Sequence, residues 1–191
     1  DGQGESASKW VLRGMVTRAF LAARRSQPEV VNVRCLTARG SRLNIWQVDV
    51  RLFGGDTLAD IRGVREKLRQ SVGAEWLRIT EFEHGISIFM GADAANVRLA
   101  DPKADQPLID SLNWTQAFID AGVTSRSGLL PQLTASSAME KNPNVKVLDF
   151  VMPPGIALVD IRETVNRLKS AAGCEFLSPM ADAGDANRVT I

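Results

Sequence analysis

Apolar residues at Leu158, Ile161, Val165, Leu168 and Ala172 are spaced three, four, three and four apart, which draws one continuous stripe along a helix. Leu58, Ile61, Val64 or Arg65, Leu68 and Val72 draw the same stripe a hundred positions earlier, with one basic residue near its edge. The spacing predicts helices over Thr57–Val72 and Ala157–Ala172. Thr57 is a good N-cap, and Asp60 three residues on suits both a capping box and the positive helix end. The second helix has Ala157 at the cap and keeps Asp160. Gly73 and Gly173 stop the helices where a left-handed residue is favoured.

Strand patterns flank these helices. Gln47–Phe53 and Lys146–Met152 are rich in β-branched and aromatic residues, and Gly54-Gly55 and Pro153-Pro154-Gly155 break them. Glu75–Phe82 alternates as a strand, His84-Gly85 makes a tight turn, and Ile86–Met90 returns as a hairpin partner. The second copy has a looser turn, Ala181–Ala186, before its last strand.

The two segments are copies. Val48–Leu77 aligns without a gap on Leu148–Leu177 at an offset of 100, and ten of the 30 positions are identical: Asp49, Gly55, Leu58, Asp60, Ile61, Arg62, Leu68, Gly73, Glu75 and Leu77 with their counterparts. Each copy also has an upstream piece. Trp10–Arg25 reads as a helix, followed by strands Val31–Ala38 and Leu43–Phe53 around the turn Arg39-Gly40-Ser41. In the second copy Leu108–Ala121 is the expected helix, and Leu133-Thr-Ala135 matches Leu36-Thr-Ala38. Ala92–Gln106 reads as a polar linker. The expected fold class is α+β, a tandem duplication of a two-layer β-α-β-β module with an upstream helix in each copy. The expected domains are 9–100 and 107–191, the second short at its C-terminus.

Composition narrows the function. Of 191 residues, 45% are apolar and 24% charged, ordinary for a globular chain that builds its own core. Twenty-three basic and 22 acidic residues leave a formal charge of +1, so nucleic-acid binding would have to come from local clustering. Cys35, Cys174 and His84 are too few for structural zinc, and two separated thiols fit a reducing cytosol. With no 18-residue apolar run and no signal-peptide pattern, a cytoplasmic location is expected. The polar start Asp1-Gly-Gln-Gly-Glu-Ser6 and the final strand Arg188–Ile191 give the expectation of a piece of a longer protein.

Catalytic motifs are missing from the sequence. None of Lys9, Lys67, Lys103, Lys141, Lys146 and Lys169 follows a glycine, so the phosphate-cradling GxxxxGK[ST] loop is absent, as are GxGxxG, GxSxG and HExxH. His84 reads as a turn residue, and Glu81 and Glu83, on one face of a strand, as a solvated edge. No catalytic, cofactor-binding or metal-ligating residue is assigned. Arg62, Arg69, Arg162 and Lys169 are the candidate contacts for DNA or a partner. In the functional reading they form a basic face for a phosphate backbone. In the structural reading, which is preferred, the acid of Asp-Ile-Arg caps the helix and the arginine pairs locally, as Arg62 would with Glu66. The N-terminal helix poses the same choice. Arg13, Arg18, Arg24 and Arg25 lie among Trp10, Leu12, Met15, Ala19 and Phe20, so it either rests on a membrane surface or DNA, or packs on its own module; packing is preferred.

Phe150-Val-Met-Pro-Pro-Gly155 followed by Leu158-Val-Asp-Ile-Arg162, and Val50–Arg62 in the first copy, resemble the region before the motor in FtsK/SpoIIIE-type DNA translocases, above all the actinobacterial conjugation and mobile-element members. The resemblance spans about three-fifths of the chain and rests on cap and turn signals. It implies a parent that is a membrane-tethered hexameric ATPase moving double-stranded DNA, with ATP and magnesium held by the parent motor and none in this chain. It implies a non-catalytic accessory region serving oligomerisation, positioning or DNA guidance, a homo-oligomer in the parent, a duplex nearby, and a membrane reached only through parent segments; the net charge of +1 allows only weak contact with that duplex. The alternative is a stand-alone α+β scaffold or partner-binding protein unrelated to DNA.

Overall fold

A computed structural model describes residues 2–182, 184–185 and 187–191, with side chains from Ser8 onward. Ala183 and Ala186 of the expected Ala181–Ala186 turn, and Asp1 of the polar start, lie outside the described residues. The chain divides into two compact units, residues 1–106 and 107–191.

The first unit opens with helix α1 (Gly2–Ala22) and continues through strands β1 (Glu29–Cys35) and β2 (Ile45–Arg51). Two short helices, α2 (Leu58–Gly63) and α3 (Arg65–Val72), lead to β3 (Trp76–Phe82) and β4 (Gly85–Gly91). The four strands form one antiparallel sheet in the order β1-β2-β4-β3. The upstream strand is thus the fourth strand of the module's own sheet, not a separate piece. Helices cover one face: Leu12, Val16, Ala19 and Phe20 of α1 with Ala23 just after it, Ile61 and Leu68 join Val48, Val50, Leu77, Ile79, Ile86 and Ile88 in one core.

The second unit repeats this plan with α4 (Pro102–Ala121, which begins in the first unit), β5 (Gln132–Met139), β6 (Asn142–Val151), α5 (Leu158–Glu163), α6 (Val165–Ala172), β7 (Met180–Ala181) and β8 (Arg188–Thr190). Its sheet order, β5-β6-β8-β7, matches the first. Phe118, Ala121, Leu148, Phe150, Ile161, Leu168 and Val189 form its core, with Phe118 and Phe150 meeting edge to face at 5.2 Å. The fold is α+β and duplicated.

Several expectations are corrected. Each long helix is two helices. Val64 (φ −108°, ψ 10°) and Thr164 (φ −102°, ψ 4°) sit in the bridge region and interrupt the helical run without moving the apolar stripe off the core. In the second copy the Thr164 hydroxyl donates back to the Asp160 carbonyl at 2.8 Å, a bond that competes with the helix ladder. The linker expected over Ala92–Gln106 ends in helix: Asp101 accepts from the Ala104 N–H at 3.2 Å and Pro102 fills the first helical position, so Asp-Pro here starts α4. The match of Leu133 to Leu36 fails. Leu133 pairs with Phe150 as Val30 pairs with Val50, and a bulge follows both, at Val30/Asn32 and Leu133/Ala135. In the second copy the segment equivalent to β3 is a strand only at Met180–Ala181, after Pro179, and Phe176 is exposed.

Candidate functional site

The retained residues fall into three groups, and local chemistry places each. Asp60 closes a complete capping box. Its carboxylate accepts the Thr57 N–H (2.9 Å) and hydroxyl (2.6 Å), while the Asp60 N–H donates to the Thr57 hydroxyl oxygen (3.3 Å). Those bonds hold the Asp60 carboxyl below the usual range, led by the Thr57 hydroxyl. Asp160 keeps half of the device, accepting the Ala157 N–H at 2.7 Å. Gly73 and Gly173 take left-handed conformations at φ 66° and close their helices.

The four basic candidates do not behave alike. Arg62 is half-buried at the end of α2, and its Nε is buried without a hydrogen-bond partner among the described residues. Burial lowers its pKa, opposed by the field of Glu81. The expected Arg62–Glu66 pair is not formed. Glu66 is taken instead by Arg69, whose Nη2 lies 2.6 Å from Oε1 and whose Nε reaches both oxygens. The same arginine donates through Nη1 to the Ala74 carbonyl at 2.8 Å, which ties the end of α3 to the start of β3. Arg69 is therefore committed to its own module. Arg162 is exposed and reaches the Pro179 carbonyl at 3.5 Å. Lys169 is half-buried in the last turn of α6, without an ion-pair partner among the described residues. Each pair lies on its own unit: Arg62 and Arg69 on the first, Arg162 and Lys169 on the second.

A third group was visible in the sequence only as the identity of Asp49 and Asp149. Asp49 points away from the helices, because β2 alternates it with the core residues Val48 and Val50. It is 3% exposed. Three neutral donors satisfy it: the Ser87 hydroxyl (2.5 Å), the Gln47 amide (2.9 Å) and the Asn32 amide (3.2 Å). Gln47 in turn accepts from Arg34 Nε (3.2 Å), and Arg34 Nη2 pairs with buried Asp105 at 3.0 Å in the first turns of α4. This polar chain, within residues 1–106, fixes the start of α4 on the far face of the first sheet. Asp149 keeps one element of it, the Thr190 hydroxyl at 2.7 Å, where Thr190 occupies the register of Ser87. Ala135 and Val147 stand where Asn32 and Gln47 would donate.

His84, Glu81 and Glu83 are exposed at the β3–β4 hairpin, on the surface that the sequence assigned them. Cys35 and Cys174 are free thiols, and burial pushes the Cys174 thiol up. Among the described residues no group of three His, Cys, Asp or Glu side chains is gathered to hold a metal ion. Among them, too, no helix is long and apolar enough to cross a membrane. No family model matches the chain, and no curated protein or solved structure does either.

Proposed function

We propose that this chain is a non-catalytic accessory region of an FtsK/SpoIIIE-like double-stranded DNA translocase, cytoplasmic and homo-oligomeric in its parent, acting by position and assembly. One observation carries the non-gripping part of this reading: apart from Arg62 and Glu75 with their counterparts, the identities shared by the two copies go to caps, turns, core and strand polarity. Asp60 and Asp160 cap, Ile61, Leu68, Ile161 and Leu168 pack, Gly73 and Gly173 terminate, and Asp49 and Asp149 satisfy a neighbouring hydroxyl. Residues retained for a shared ligand would instead be exposed and unengaged, and of the basic candidates Arg162, which is exposed, and Lys169, which is half-buried, come nearest that description. The translocase part rests on the Pro-Pro-Gly and Leu-x-Asp-Ile-Arg resemblance, with ATP and magnesium left to the parent motor. The reading frame that encodes this chain tests it. A GxxxxGK[ST] loop in the same frame supports the reading, and a full-length frame without one contradicts it.

A further inference from the structure

Helix α1 carries two apolar stripes, and its module uses one. Leu12, Val16, Ala19, Phe20 and Ala23 are buried in the first core. On the opposite side Trp10 is 78% exposed, Leu21 54% and Val11 49%. At 3.6 residues per turn Trp10 and Leu21 lie about 20° apart around the axis and about 16 Å apart along it. Arg13 flanks this strip on one side and Arg18 on the other, and Arg24 follows just beyond the end of the helix. All three arginines are exposed, and none has a hydrogen-bond or ion-pair partner among the described residues. From Ser8 to Pro28 the chain has five basic residues and no acid. One of the five, Arg25, turns inward to Asp56 at 3.3 Å.

An apolar strip of indole and leucine, fenced by guanidinium groups with no carboxylate among them, is complementary to the interface of an anionic bilayer. The indole sits at headgroup depth, the leucine enters the acyl boundary, and the arginine stems lie along the apolar zone while their heads meet lipid phosphates. Duplex DNA would satisfy the arginines but would set Trp10 and Leu21 against a charged, hydrated backbone. We propose that α1 is an interfacial docking helix that lays the first unit on an anionic lipid surface by its outer stripe, while the inner stripe stays in the core. The lipid contact then belongs to this chain itself and not only to segments of a parent. It does not depend on the translocase reading.

The test is flotation of the purified chain with vesicles of phosphatidylcholine containing about 30% phosphatidylserine, against phosphatidylcholine alone, at low and high salt. Far-UV circular dichroism and thermal unfolding show that each variant is folded, which outward-facing substitutions should permit. The wild type should float with the anionic vesicles and be released by salt. R13Q and R18Q should each weaken partitioning roughly 5-fold. W10S/L21S should weaken it at least about 10-fold. Failure to float with anionic vesicles, or flotation unchanged in W10S/L21S, overturns the proposal. So does a wild-type dimer that W10S/L21S makes monomeric, which would assign the strip to a second copy of this chain. Sub-micromolar binding of duplex DNA lost in R13Q/R18Q would also overturn it.

Discussion

Replacing Arg24 by glycine should stabilise the first unit, and the second unit supplies the control. Both upstream helices end in the same paired bonds. Arg24 N–H donates to the Leu21 carbonyl (3.0 Å) and Arg25 N–H to that of Phe20 (2.9 Å); Gly122 N–H donates to Ile119 (3.0 Å) and Val123 N–H to Phe118 (2.8 Å). The residue beyond each helix is left-handed, at φ 58° for Arg24 and 74° for Gly122, and Arg24 is the one non-glycine residue with positive φ among those described. A side chain in that conformation costs about 1–2 kcal/mol. Glycine gives back roughly 0.5–1 kcal/mol through its freer unfolded chain. The net expectation for Arg24→Gly is about 0.5–1 kcal/mol of added stability, a rise in Tm of about 1–4 °C for a chain of this size. Gly122→Ala should cost about 1 kcal/mol. Added bulk should not confound it, because a Cβ there would meet only Arg167 Nη1 at 3.7 Å. Urea unfolding, with amide exchange to separate the two units, measures both. Loss of stability in Arg24→Gly, or a neutral Gly122→Ala, would refute the equivalence of the two helix ends.

The other cap invites a gain instead of a loss. Ala157 has nearly the backbone angles of Thr57 (φ −119°, ψ 168° against −113°, 167°), so Ala157→Thr should restore the missing hydroxyl and add about 0.5–1 kcal/mol in urea unfolding. Unchanged stability in that variant would contradict the equivalence of the two cap positions. Acid should loosen α3 in a defined window. Arg69 holds the Glu66 carboxyl down to about 2 from an ordinary 4.5, so the folded state binds that proton less readily than the unfolded one. The stabilisation is present above about 4.5 and lost as pH falls toward about 2. Glu66→Gln should flatten this part of the stability–pH curve, measured as Tm between those limits, and an unaltered slope would contradict the pair.

The parts of the fold readable in advance were those set by local periodicity. The stripes through Leu68 and Leu168, the stops at Gly73 and Gly173 and the Asp60 cap each depend on residues close together in sequence, and each stands as read. The breaks at Val64 and Thr164 were hidden because the bridge conformation leaves the apolar spacing intact. Leu133 occupies the place of Val30 and not of Leu36, which composition cannot show because it carries no sign of a bulge, whereas the ladder of β5 on β6 does. Asp101-Pro102 reads as linker by composition, although the same dipeptide is a sound helix start. The candidate site was less legible. Arg62 and Glu66 have pairing distance in sequence, but Arg69 competes for the same carboxylate and also reaches the Ala74 carbonyl. The Asp49 chain draws Asn32, Gln47 and Ser87 from three strands, a juxtaposition that only pairing register creates.

The central claim, that this chain does not itself grip DNA, is tested most directly by titrating duplex DNA with the purified chain across a range of salt, then repeating the titration with Arg62→Ala/Arg162→Ala. Among the four candidates Arg62 is half-buried and Arg69 is engaged by Glu66, so few phosphates can be neutralised there at once. The expected result is a Kd of about 10⁻⁴ M or weaker at physiological salt, with little change in the double variant. Sub-micromolar binding that the double variant abolishes would contradict the account and make this a DNA-binding module.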